Sequence, residues 1–99
     1  DDGLDAKARR QQAAQKREQL RPLKKQVEQQ EKQLAECDKQ LAQVEQALSD
    51  DSVYTDDARR NEMNGLLGDQ ARLKKQHDEL EGALLDAMEA LEEAEAKLD

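Results

Sequence analysis

From Leu20 onward the apolar residues fall on a repeating track. The first track runs Leu20, Leu23, Val27, Gln30, Leu34, Cys37, Leu41, Val44 and Leu48. A second runs Met63, Leu66, Gln70, Leu73, His77, Leu80, Leu84, Ala87, Leu91, Ala94 and Leu98. The spacing alternates between three and four, the heptad rhythm that puts a stripe on one side of a helix. Between the tracks lies Ser49-Asp50-Asp51-Ser52-Val53-Tyr54-Thr55-Asp56-Asp57, polar and rich in cap formers. The pattern predicts a helix over about 22–48, a loop over about 49–55 and a second helix over about 56–98. Thr55 is the expected N-cap, with Asp56 and Asp57 favourable in the first turn. Asn64-Gly65-Leu66-Leu67-Gly68 is the weak segment, because Asn-Gly favours a turn and each helical Gly costs ~1 kcal/mol against Ala. Met63 and Leu66 keep the rhythm through it, which predicts continuous helix; the alternative is a helix that starts near Leu66 after a longer loop.

Pro22 predicts a break or kink near residues 20–22, since proline is tolerated at a helix start and disruptive inside. Residues 1–20 then form a separate charged linker or helical arm, and residues 21–99 the paired helices. Folded back antiparallel, the two tracks can be matched layer by layer. Val44 then meets Met63, Leu41 meets Leu66, Leu34 meets Leu73, and Val27 meets Leu80. In that register the polar interruptions meet each other, Gln30 with His77 and Cys37 with Gln70. A paired polar layer fixes register at some cost in stability. The expected fold is all-α: a two-helix antiparallel coiled-coil hairpin with a preceding N-terminal basic helical arm.

Composition agrees with this shape and excludes others. The chain has 99 residues, one aromatic (Tyr54), and an apolar content dominated by fourteen Ala and fourteen Leu. That is too little bulk for an ordinary globular core and typical of long helices. No apolar run approaches the ~18 residues of a membrane span. The chain does not begin with Met, and the expectation is a piece of a larger protein. A lone cysteine, Cys37, cannot staple the chain to itself and points to a reducing compartment.

Catalytic chemistry finds no foothold. A phosphate-binding Gly-rich loop is missing, as Gly65 and Gly68 are followed by Asp69-Gln70 and no lysine. In the expected register His77 sits ~10 Å along the axis from Cys37, too far to share a metal, so both read as seam residues. Carboxylate pairs such as Glu92-Glu93 belong to a solvated face. The expectation is a chain that is not an enzyme, with no metal and no cofactor of its own.

Charge changes the picture. The formal net charge is −8, but it is unevenly spread. Residues 7–25 carry Lys7, Arg9, Arg10, Lys16, Arg17, Arg21, Lys24 and Lys25 against Glu18 alone. Residues 78–99 carry nine acids against Lys97. The basic stretch can track a phosphate backbone of DNA or RNA. Without aromatics for base stacking, such binding reads phosphate and shape. The alternative is a structural protein–protein arm or spacer, with the basic arm neutralised by the acidic tail. The Ala-rich end (Ala83, Ala87, Ala90, Ala94) leaves room for a four-helix dimer, although a monomer is expected.

The order of these features is similar to a known family. A basic stretch leads to Arg21-Pro22-Leu23-Lys24-Lys25 and a heptad helix. Then come Leu48-Ser49-Asp50-Asp51-Ser52-Val53-Tyr54 and a second helix with Leu80-Glu81 and Met88-Glu89. Together they resemble the C-terminal coiled-coil domain of ABC-F ATPases, most closely the YheS and Uup branches. The resemblance implies a cytoplasmic, non-catalytic domain following two ATP-binding cassettes, which would carry the nucleotide-binding, ATP and magnesium chemistry. It further implies association with the ribosome and translation, and for the Uup type with DNA; the parent's own cassettes are further partners. Pro22 would open the first coiled-coil helix, and Tyr54 would pack its ring across the hairpin tip. Ala87 stands where the family often has Trp, opposite Leu20, which implies a thinner closure at the proline end.

Overall fold

Heptad spacing and a high content of Ala, Leu, Gln, Glu and Lys favour helix at almost every position, and long helices are what this chain forms. The computed structural model describes residues 2–98, and no strand occurs among them. Helix α1 spans Asp2–Leu48, α2 is a short turn over Ser52–Thr55, and α3 spans Arg60–Leu98. A 3-10 turn over Asp57–Arg59 leads into α3. The molecule is elongated, 83 × 19 × 14 Å, and α1 and α3 contact each other. No helix among the described residues is long and apolar enough to cross a membrane. Asp1 and Asp99, the outer bounds expected for the arm and the hairpin, lie outside the described residues.

The heptad tracks are the shielded faces. Every position of both tracks is buried or half-buried, including the polar members Gln30, Gln70 and His77. Cys37, Leu48, Leu73 and Ala87 are the most buried of them. Outside the tracks only Ala6, Ala47, Val53, Arg59 and Ala83 are shielded to that degree among the described residues.

Several expectations are corrected. The break at residues 20–22 is absent, and α1 runs unbroken with Pro22 inside it. Proline removes one backbone donor, but Leu20 and Leu23 on either side are both half-buried, and that packing outweighs a single missing bond. The basic stretch is therefore the N-terminal part of α1. At the second boundary Thr55 closes α2, and the cap is Asp56, whose carboxylate accepts from the Ala58 N–H at 2.9 Å. The ring of Tyr54 is 55% exposed, and the residue that fills the tip is Val53, 1% exposed. An aliphatic side chain anchors a one-turn helix without any need to place a hydroxyl. Continuous helix through Asn64-Gly65-Leu66-Leu67-Gly68 is found as expected. Gly65 and Gly68 lie in open space, so no close approach requires them.

Candidate nucleic-acid interface

At ~100° of rotation per residue, the eight cations of α1 divide into two sets. Lys7, Arg10, Arg17, Arg21, Lys24 and Lys25 fall within an arc of about 100° that begins beside the heptad track and runs round to the outer face of the helix. They span about 27 Å of helix axis at ~1.5 Å per residue. Arg9 and Lys16 behave differently. They continue the three-four spacing backward from Leu20, in alternation with Ala13 and Ala6. Cations at those positions explain why the apolar track stops at Leu20.

All eight cations are exposed. A surface groove of about 570 Å³ follows the stripe, lined by Arg17, Glu18, Arg21, Lys24, Lys25 and Glu28. Arg21 pairs with Glu18 at 3.4 Å, with both side chains more than two-thirds exposed, so the pair is readily exchanged for another anion. Arg9 and Arg10 donate from Nε to the carbonyls of Asp5 and Ala6, each at 3.4 Å. Those bonds are within one helix and leave the guanidinium charge uncompensated. Among the described residues, no ion pair joins the cations of residues 7–25 to the acids of residues 78–98.

Comparison with protein-family models, with curated proteins and with solved structures finds no match to this chain. The chemistry of the surface is thus read from its own residues.

The remaining singled-out residues are structural in placement. Cys37 is 3% exposed, and its Sγ lies 3.4 Å from the Leu73 carbonyl oxygen, to which the thiol donates. The hydrogen-bond partner of Cys37 is thus the Leu73 carbonyl and not Gln70. Nor does His77 hydrogen-bond the Gln30 Oε1. Its Nε2 lies 2.8 Å from Asp38 Oδ1 on the facing helix, and its Nδ1 is 3.7 Å from Glu81 and 4.0 Å from Asp78. Gln30 is left with a buried Oε1 that has no hydrogen-bond partner. His77, Asp78 and Glu81 could each offer one ligand atom to a cation, all within 4.8 Å of one another. Asp78 and Glu81 are largely exposed, and nothing else at the site selects a metal.

A cluster that sequence reasoning missed sits at the tip. Arg59 donates to both Glu62 oxygens at 2.9 Å, to Asp50 at 3.0 Å, and to the Ser52 hydroxyl. Asp50 also accepts from the Ser52 N–H and hydroxyl, which starts α2. The Arg59 guanidinium, then the Ser52 donors, hold the Asp50 carboxyl below its ordinary range, and Arg59 does the same for Glu62. Those carboxylates raise the Arg59 value in return, led by Glu62. One signal was present in the sequence: Asp50 and Ser52 stand two apart, the spacing of an Asx turn.

Proposed function

We propose that this chain is an antiparallel coiled-coil hairpin that binds nucleic acid through the backbone phosphates, using the exposed cationic stripe of α1. The exposed stripe, with a single solvent-exposed ion pair (Arg21–Glu18) and none to the acids of α3 among the described residues, is the observation that carries this reading. Six cations on one face, over a length of several phosphate spacings, suit a polyanion better than a small ligand. The hairpin is supported by length. α1 and α3 laid end to end would reach ~130 Å at 1.5 Å per residue, against the 83 Å observed. It is supported too by the cross-helix contacts of Cys37 with Leu73 and of Asp38 with His77. The module is non-catalytic in this proposal. Its likeness to ABC-F C-terminal domains suggests a parent ATPase in the cytoplasm, with DNA or ribosomal RNA as ligand.

Charge reversal tests the reading. Lys7, Arg10, Arg17 and Arg21 are changed to Glu together, and separately Arg9 and Lys16 to Gln. Binding to a fluorescent 30-base-pair DNA and to a structured RNA is compared at one salt concentration. The stripe variant loses binding to at least one polymer, and the Arg9/Lys16 variant retains most of it. Equal binding by the stripe variant and the parent sequence contradicts the proposal. A second reading, a protein-facing spacer, is favoured by the 83 Å length alone and predicts no binding to either polymer.

A further inference from the structure

The buried, unpartnered Gln30 Oε1 is the one such atom among the described residues. A buried amide oxygen without a donor is costly, so its position in the seam calls for a cause. The cause lies in the register. With Cys37 against Leu73, the three-four spacing sets Gln30 opposite Leu80, Leu34 opposite His77, and Leu41 opposite Gln70. Each polar residue of the seams then faces a leucine. A slip of half a heptad, about 5 Å along the axis at ~1.5 Å per residue, reverses this. Gln30 then faces His77 and Cys37 faces Gln70, while Leu34 faces Leu73 and Leu41 faces Leu66.

The two registers are matched in kind. Both stack aliphatic layers over most of the seam, because a half-heptad slip carries one track position onto the next. The observed Cys37–Leu73 contact goes together with the Arg59 clamp and with a buried Val53 at the tip. The observed register also keeps the Asp38–His77 contact. The slipped one gives up those contacts and pairs the polar residues instead.

We propose that α1 and α3 exchange between these two registers, and that the exchange sets how much of the basic stretch stands clear of α3. In the observed register the end of α3 reaches the level of about residues 12–13 of α1; in the slipped register it reaches about residue 9. About one more turn of the cationic helix then runs beside acidic α3. Phosphate ligands therefore favour the observed register. The proposal rests on the hairpin and phosphate-binding reading above.

Disulfide trapping with the native Cys37 tests it. Gln70→Cys forms a bond with Cys37 only in the slipped register, since in the observed one the two positions are about a turn apart and the Cα separation exceeds ~7 Å. Leu73→Cys reports the observed register. Under mild oxidation at low protein concentration both variants close an intramolecular bond. The Gln70→Cys bond forms roughly ten- to hundredfold more slowly, as for a minor state of a few per cent. Gln30→Leu removes the orphaned amide and slows the Gln70→Cys bond by about a further tenfold, while leaving the Leu73→Cys bond unchanged. Because Leu73 is a core residue, a second set in a Cys37→Ser background repeats the comparison: Val44→Cys with Leu66→Cys for the observed register, Val44→Cys with Met63→Cys for the slipped one. Bonds in the observed-register pairs alone overturn the two-register proposal and leave the hairpin intact. Bonds in neither set overturn the hairpin as well. Of the two trapped forms, the slipped one binds duplex more weakly; equal binding overturns the coupling to the basic stretch. Clean trapping of both registers with no binding by either trapped form or the reduced chain overturns phosphate binding alone.

Discussion

Leu73 and Tyr54 show how differently two large side chains can matter in a thin molecule. Leu73 is 2% exposed and sits against Cys37 at mid-length, whereas Tyr54 is 55% exposed. Truncating Leu73 to Ala removes buried methyl groups from a seam with few neighbours to collapse inward, and costs ~2–5 kcal/mol. Tyr54→Ala changes stability by less than ~0.5 kcal/mol. Urea melts of the two variants, read at unchanged slope, check the contrast. The tip makes a second residue-scale prediction. Asp50 and Glu62 both titrate below their ordinary range because Arg59 and, for Asp50, Ser52 bind the charged forms. Groups with depressed folded values stabilise the fold fully above the unfolded value, about pH 4, and lose that contribution as pH falls through the folded value. Amide protection factors around Val53, taken against the intrinsic exchange rate at each pH, therefore fall on acidification below about pH 4 in the parent sequence. In Arg59→Gln the tip exchanges faster at neutral pH and shows less further change. Both carboxylates are solvent-exposed, so the effect is local.

Elements follow from the residues less directly. The heptad tracks were legible because three-four spacing maps straight onto one side of a helix. Every track position is shielded, even Gln30, Gln70 and His77. The ends were less legible. Pro22 carries a strong local penalty, yet Leu20 and Leu23 hold the helix across it, and a local rule cannot weigh that packing. The tip was read by residue type, which favoured the aromatic Tyr54, while the fold uses Val53 because its side chain points inward. Arg59 was silent in the sequence because its partners Asp50 and Ser52 come from the other side of the turn. Register was the least legible feature, since heptad patterns match themselves again after half a repeat. Helix interiors supply the matching prediction. Gly65 and Gly68 each have open space where a methyl group would go, so the double change to Ala stabilises the chain by ~1–2 kcal/mol. Pro22→Ala restores a backbone donor within α1 and raises stability by up to ~3 kcal/mol. Thermal unfolding followed by circular dichroism checks both; a lower midpoint for either contradicts a continuous helix at that point.

On the scale of the whole molecule the decisive property is where charge stands. A chain of net charge −8 is an unlikely-looking partner for nucleic acid if charge is averaged. Resolved along 83 Å, the same charge becomes a basic stretch of α1 and an acidic end of α3 with no ion pair between them among the described residues. The cationic stripe was legible as a count in the sequence. Its division into six cations on one arc of the helix and two on the track itself needed the helix to be continuous through Pro22. The most direct test is a salt series on the unmodified chain with duplex DNA and with structured RNA. If the six cations of the stripe contact phosphates, log K falls against log salt with a slope of about −5 for duplex DNA, or falls comparably steeply for the RNA. Affinity that is absent at low salt for both polymers, or that does not change with salt, contradicts phosphate recognition by α1.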